Sequence, residues 1–299
     1  MNRADLADLM AFSVIAEERS FTRAANRLGI TSSALSHAMR LLEERLDVKL
    51  LSRTTRSVAP TAAGERLLAR VQPAIREIGD GLEALASEHS GPCGRVRINS
   101  HRSGAVLYVM PKLQALRREY PGITLDLTTD EGLVDIVSAG YDAGIRNGER
   151  LAQDMVAVRI SPDYRTAVVA APKYLKSAPA IERPQDLVQQ SCLAYRMSTS
   201  GAMLRWQFQR GARTFDVAIN PTFITNDMDL LIDAALAGTG VGYLLREQVA
   251  DHLANGKLVE VLPKWSMRYE GTFLYYPSPR QMRPALRAVI DMLRYDGRA

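Results

Sequence analysis

The chain is poor in the residues that build compact chemical centres. Its 299 residues include two cysteines and four histidines. Cys93 and Cys192 lie far apart and neither sits in a CxxC, while His37, His89, His101 and His252 are scattered, so no Cys/His cluster has metal-ligand spacing. No structural zinc site or redox disulfide is expected. Cys192 opens the apolar stretch SCLAY and reads as a small buried thiol. No run of 18 or more apolar residues is present, so no membrane span is expected. MNRADLADLM has an early acid and no apolar core, which argues against a signal peptide and for a cytoplasmic chain. The second half has no nucleophile elbow, no GxGxxG, no phosphate loop and no His/Glu metal motif. Gly238-Thr239-Gly240-Val241-Gly242 is glycine-rich, but it follows an expected helix and precedes an expected strand, the reverse of a dinucleotide turn. Neither an enzyme nor a cofactor is expected.

What is present is an ordinary globular composition, 46% hydrophobic and 24% charged, long enough for two or three domains. The net charge of +5 permits a polyanionic partner without demanding one. The most informative stretch is Ser20–Glu44. Phe21, Ala24, Ala25 and Leu28 form a helical stripe, Gly29 follows where a helix ends, and Ile30 is placed to plug a corner. Thr31, Ser32 and Ser33 offer caps for a second helix with the stripe Ala34, Leu35, Ala38, Leu41 and Leu42. Helix, glycine turn, helix is the helix-turn-helix pattern. Small alanines let the two helices cross closely. The outward face of the second carries Ser32, Ser33, Ser36, His37 and Arg40, slim polar groups followed by longer cations, as a helix in a major groove requires. A solvated face on a small bundle is the bland alternative.

The flanks extend this reading. A first helix over Asn2–Glu18 presents Leu6, Leu9, Phe12, Ile15 and Ala16 to the pair. Ser52–Val58 is β-prone, with Arg53 and Thr55 on one side and Arg56 nearby, which predicts a wing along phosphates or the minor groove. Arg19–Arg56 holds eight Lys/Arg against three acids, so positive charge is expected on this surface. A long helix then runs from Thr61 to about Glu88. Leu68, Val71, Ile75, Ile78, Leu82 and Leu85 mark a heptad seam suited to pairing two chains, with a kink expected at Pro73. His89–Gly94 reads as a linker. Beyond it, strands at 95–98, 123–128 and 143–145 alternate with helices at 105–120 and 133–139, predicting a parallel sheet with helices on both faces. A second set follows: strands at 165–170, 192–195, 215–219, 222–225 and 241–245, a helix at 227–237, and a final strand (272–276) and helix (282–293).

With these elements in place the chain resembles the LysR-type transcriptional regulators along essentially its whole length, and in particular their CrgA-like branch. The resemblance rests on Phe12, Ser20-Phe21-Thr22, Ala24-Ala25, Leu28, Ser33-Ala34-Leu35-Ser36, Leu42-Glu43, Leu50-Leu51-x-Arg53-Thr54-Thr55-Arg56 and Val58-x-Pro60-Thr61-x-x-Gly64. It continues through Tyr141–Arg146, Ala171-Pro172-x-Tyr174-Leu175 and Gly238-x-Gly240-Val241-Gly242. Leu51 and Pro60 depart from the commoner Phe and Leu without disturbing the pattern.

The resemblance implies an α/β chain in three parts. These are a winged helix-turn-helix over residues 1–60, a dimerising linker helix over 61–90, and an effector-binding domain over 91–299 similar to periplasmic binding proteins. Lobe I would cover about 94–160 and 267–299, and lobe II about 161–266. Homodimers, homotetramers on bent promoter DNA, and RNA polymerase are the implied macromolecular partners, with no membrane. Ser33, Ser36, His37 and Arg40 become candidates for base and nearby phosphate contacts, Thr31 and Ser32 for phosphates, and Arg53, Thr55 and Arg56 for the wing. An effector site is expected at strand C-termini between the lobes. Its candidates are Ser100, His101, Arg102, Ser103, Thr129, Arg146, Arg196, Ser198, Thr199, Asn226, Asp227 and Tyr243. The three arginines among them point to a small organic anion. A ligand-independent DNA organiser and a solute receptor are the competing readings.

Overall fold

The computed structural model describes residues 3–53, 58–148, 155–277 and 282–297. Contacts divide the chain into two compact units, Met1–Ser90 and Gly91–Ala299.

The first unit opens with α1 (Arg3–Glu18), α2 (Phe21–Leu28) and α3 (Ser32–Leu46). Ser20 caps α2 through its Oγ, and Gly29 ends it at φ 68°, a left-handed conformation that glycine adopts without a Cβ penalty. Thr31 caps α3 by accepting the Ala34 N–H at 3.2 Å. Phe12, Ile15, Ala24, Ala25, Leu35, Met39 and Leu42 form the core. The buried stripe of α3 is rotated from the expected one. Met39 is 1% exposed, whereas Leu41 is 38% and Ile30 45% exposed, and Ala34 also faces solvent. A bulky Met39 fills the space that alanines were expected to leave.

Glu43 carries the next turn. Its buried Oε1 accepts the Leu50 and Leu51 N–H groups at 2.8 and 3.0 Å, and its Oε2 accepts from Lys49 Nζ at 3.1 Å. Burial acts to raise its pKa, but the Leu51 amide, the Lys49 ammonium and the Leu50 amide together outweigh burial and lower it. This anchor leads into β1 (Leu51–Arg53), which pairs antiparallel with β2 (Val58–Pro60). The expected wing is this hairpin; Thr55 and Arg56 lie outside the described residues.

Thr61 then donates to Lys49 O at 2.6 Å and caps α4 (Ala62–Ser90) by accepting the Gly64 N–H at 3.1 Å. Gly64 has no room for a side chain, because an added Cβ would overlap the Leu50 carbonyl oxygen. Helix α4 runs through Pro73, Gly79 and Gly81 without a break. Its heptad seam divides in two. Leu68 packs into the domain core, while Ile78 and Leu82 are 52% and 66% exposed.

In the second unit, β3 (Gly94–Ser100) leads into α5 (Arg102–Gly104), a π-helical turn (Ala105–Val109) and α6 (Met110–Glu119). Strands β4 (Ile123–Thr129), β5 (Ala143–Asn147) and β6 (Met155–Arg159) follow. The chain then crosses to β7 (Tyr164–Ala170), α7 (Pro172–Leu175), β8 (Cys192–Tyr195), β9 (Trp206–Arg210), β10 (Arg213–Val217), β11 (Pro221–Thr225), α8 (Met228–Leu236) and β12 (Val241–Leu245). Helix α9 (Ala250–Ala254), β13 (Val259–Val261) and β14 (Arg268–Tyr269) complete that part, and β15 (Thr272–Pro277) and α10 (Pro284–Leu293) return to the first.

Two sheets result. Lobe I has the order β4-β3-β5-β15-β6, and lobe II the order β11-β8-β12-β7-β13 with β14 also on β7. Each sheet is mixed rather than parallel: β15 runs antiparallel to β5 and β6, and β7 antiparallel to β12. The reason is the double crossing. A strand that enters or re-enters a lobe from the other one needs no right-handed helical return. Because β14 pairs with β7, the return crossing lies between Tyr269 and Thr272. The expected helix at 133–139 is instead a series of turns, with Asp135 Oδ1 accepting the Val137 and Ser138 N–H groups. Glycines at 132 and 140 leave too few residues for a stable helical nucleus.

Candidate functional site

Two regions concentrate chemistry. On α3, Ser32, Ser33, His37 and Arg40 are exposed along one helical face and Ser36 is half-buried beside them. Thr31 Oγ1 is engaged as the cap and also lies 3.1 Å from Ser33 Oγ. Arg40 is held by Glu44 at 2.7 Å, an exposed i,i+4 pair that costs little to open. The focused positive charge expected from counting is moderated by pairing. Arg23 meets Glu18 at 3.3 Å, Arg27 meets Glu17 at 2.7 Å, Arg45 meets Asp8 at 2.7 Å and Lys49 meets Glu43 at 3.1 Å. Three of these partners, Glu17, Glu18 and Asp8, precede the counted stretch, and they tie α2 and α3 to α1. The exposed groups of this face outside these ion pairs are Ser32, Ser33 and His37.

The second region is a cavity of about 460 Å³ between the lobes of the effector unit. It lies at the C-terminal ends of β3, β5 and β8, where the loops of a sheet converge. Of the twelve candidates, His101, Arg102, Ser103, Arg146, Ser198, Thr199 and Tyr243 line it. Five candidates do not. Ser100 is fully buried and donates to His101 O at 2.8 Å. Arg196 reaches Gly201 O at 3.4 Å, and Asp227 caps α8 by accepting the Asp229 and Leu230 N–H groups. Thr129 and Asn226 are exposed beyond the cavity wall.

The wall is internally satisfied to a degree that the sequence does not reveal. His101 Nδ1 accepts the Gly104 N–H at 2.9 Å and so caps α5. Glu131 Oε1 accepts the Arg102 N–H at 2.8 Å, placing a carboxylate where an anionic ligand was expected. Arg102 reaches across the mouth to Asp229 Oδ2, with Nε at 2.7 Å and Nη2 at 2.5 Å. The Asp229 hydrogen bond and charge raise the Arg102 pKa, with Asp227 and Glu131 adding to the effect. Arg146, only 4% exposed, donates to Asn99 Oδ1 at 2.5 Å, Ile145 O at 2.7 Å and Gly132 O at 2.9 Å. A second bond between the lobes joins the Leu133 N–H to Thr199 Oγ1 at 3.2 Å.

The floor is aromatic. Tyr164 and Tyr269 stack at 5.6 Å between ring centres, and Tyr243 stacks on Trp206 at 5.3 Å while donating to Gln207 O at 2.8 Å. Burial pushes Tyr195 up to about 12, with the negative charge of Glu131 adding to it. Burial likewise pushes Tyr243 well above the ordinary phenol range. Sequence reasoning missed Glu131, Asp229, Tyr164, Tyr269 and Gln248. Tyr164 and Tyr269 meet only through the antiparallel register of β14 on β7, which no local pattern announces.

Comparison with known proteins agrees with both regions. Residues 6–65 match the family described as bacterial regulatory helix-turn-helix protein, lysR family. Residues 89–298 match the LysR substrate binding domain. The chain belongs to the LysR family of transcriptional regulators. It is 43% identical over 295 residues to a putative transcriptional regulator of Pseudomonas aeruginosa, covering 99% of this chain and 96% of that one. It is 40% identical over 297 residues to the HTH-type transcriptional regulator PgrR of Escherichia coli, covering 99% of each. Among solved structures, CrgA of Neisseria meningitidis matches with a TM-score of 0.60 and 27% identity, over 96% of this chain and 98% of that one. The full-length virulence activator AphB of Vibrio cholerae matches in fold, with a TM-score of 0.62 and 24% identity over 96% of this chain and 98% of that one. The family membership makes this LysR-type chain a DNA-binding transcriptional regulator with an effector domain.

Proposed function

We propose that this LysR-type regulator reads promoter DNA through the Ser32–Arg40 face of α3 and changes its grip when a small organic acid occupies the interlobe cavity. Ser33, Ser36, His37 and Arg40 contact base edges and nearby phosphates, Thr31 and Ser32 the phosphates at the helix start, and Arg53, Thr55 and Arg56 the flanking backbone. The exposed Ile78 and Leu82 on α4 support pairing of two chains, which would present two α3 helices to half-sites a whole number of helical turns apart. A homotetramer working in the cytoplasm, with RNA polymerase as a further partner, completes the reading. Among the described residues no helix is long and apolar enough to cross a membrane.

The observation that carries the effector half is the pair of contacts across the cavity, Arg102 to Asp229 and Leu133 N–H to Thr199 Oγ1. A ligand that enters between them must change the contacts joining the lobes. It shifts the lobe arrangement by its differential affinity for the open and closed forms. Footprinting of genomic fragments by the full-length chain, with and without metabolite extract, tests this. Paired half-sites whose protection changes with extract support the proposal. Protection that no metabolite alters would make the protein a ligand-independent DNA organiser.

A further inference from the structure

We infer that the effector is a zwitterion, an amino acid or short peptide whose carboxylate takes Arg102 and whose ammonium takes Asp229. The inference rests on the reading that the interlobe cavity is the effector site, and it narrows the ligand.

Charge matching at the mouth favours a ligand that carries both signs. Arg102 stands there among Asp229, Glu131 and Asp227. A simple carboxylate that displaced Asp229 from Arg102 would leave Asp229 facing the incoming negative charge, with Glu131 already seated at the start of α5. A simple amine that displaced Arg102 would meet Arg146 and Arg205 on the same wall. A zwitterion exchanges one Arg–Asp bridge for two, and leaves neither partner uncompensated. The bridge is easily exchanged: the Arg102 and Asp229 side chains are 53% and 52% exposed, and exposed pairs contribute little.

Gln248 adds an uncharged amide side chain to the same wall. The cavity volume of about 460 Å³ falls within the range of small-molecule sites, and the floor of Tyr164, Tyr243 and Tyr269 offers room and aromatic faces for the remainder of the ligand.

Calorimetry on the full-length protein decides the matter. The probes are the common L-amino acids and a set of dipeptides, each beside its N-acetyl and C-amide derivative, with plain carboxylates and plain amines as controls. The expected result is that at least one parent compound binds, and that N-acetylation and C-amidation each weaken it tenfold or more. Asp229→Asn should weaken the parent tenfold while leaving its N-acetyl derivative unchanged or tighter, a split that a purely structural role for Asp229 would not give. N-acetyl derivatives binding as well as their parents, or binding only by plain carboxylates or plain amines, overturns the zwitterion and leaves the cavity as the effector site. Binding by none of the probes also overturns it; the effector reading then stands or falls on whether footprints still respond to extract. Parent binding unaffected by a cavity-filling Ser198→Trp overturns both.

Discussion

The two units treat polar groups in opposite ways. On α3 the proposed reading groups Ser32, Ser33 and His37 stand in solvent on a single preformed helix. In the effector unit Arg102, Arg146, His101 and Glu131 are held by partners drawn from several elements. The physical demand differs. Duplex DNA is a long, stiff and strongly hydrated partner, so the protein can present a fixed comb of hydroxyls and an imidazole and exchange only water. A closing cleft must be stable when empty, and its charged groups therefore bind one another until a ligand offers something better. In the proposed mechanism the reader works as a surface, and the sensor as an exchange reaction.

The largest expected effect tests how rigid the reader's frame is. Gly64→Val would drive a side chain into the Leu50 carbonyl, which an added Cβ already overlaps. Because the clash is with backbone at a buried joint, the substitution should cost about 3 kcal/mol or more. Urea unfolding that shows less than half of this would mean that the frame yields. Close behind is Glu43→Ala, which strips the acceptor from the Leu50 and Leu51 N–H groups and should cost about 3 kcal/mol in the same measurement.

Glu43 also gives the reader a pH dependence. Its folded pKa is lowered, so its contribution is present above the unfolded carboxylate pKa, around 4.3. That contribution is lost as pH falls through the still lower folded value. Glu43→Gln keeps an Oε1 for both amides but cannot take up a proton as the pH falls. It should cost only about 1 kcal/mol at neutral pH and remove this part of the acid sensitivity. Equal acid sensitivity in the two proteins would show that Glu43 is not the group responsible.

How much of each region was legible in the sequence follows the same division. The helix-turn-helix, its Thr31 cap, its Gly29 stop and the exposed serines are local, and the 3.6-residue period exposes them directly. Even there, the period placed Ala34 and Leu41 in the core where Met39 belongs, because several rotations fit a stripe rich in alanine. The need for Gly64 was visible only as a motif; its cause is the close approach of Leu50. The cavity was half legible. His101, Arg102 and Ser103 follow β3 and Arg146 lies near the end of β5, so they could be placed, since strand ends are local. Their partners could not. Asp229 looks like any acid in the first turn of a helix, and Glu131 like any loop acid, until folding within lobe I brings Glu131, and the approach of lobe II brings Asp229, to Arg102. The expectation of an anion took no account of these acids, on which the proposed zwitterion rests.

On the DNA side, the groups outside the ion pairs should govern discrimination. His37→Ala should reduce the preference for the cognate half-site by about 1–3 kcal/mol, as loss of a base-edge contact does. Its salt dependence should be little changed, because a base-edge contact neutralises no phosphate and so releases no counterion. Titrating cognate and scrambled duplexes at two salt concentrations separates the two effects. A parallel loss on both duplexes would place His37 on the phosphates.

The smallest expected effect sharpens the contrast most. Arg40 on α3 and Arg102 at the cleft are both paired across exposed bridges, to Glu44 at 2.7 Å and to Asp229 at 2.5 Å. If the reader needs no exchange step, the Glu44 pair is incidental, and Glu44→Gln should only help. It frees Arg40 for a phosphate and removes one negative charge from the DNA-facing helix. DNA affinity should rise about twofold to threefold at low salt and return to the wild-type value at high salt, because both contributions are screened. A fall in affinity would mean that Glu44 holds Arg40 in the position the DNA requires. The bridge on α3 would then be a preorganising device, and the reader would share with the sensor a dependence on internal pairing.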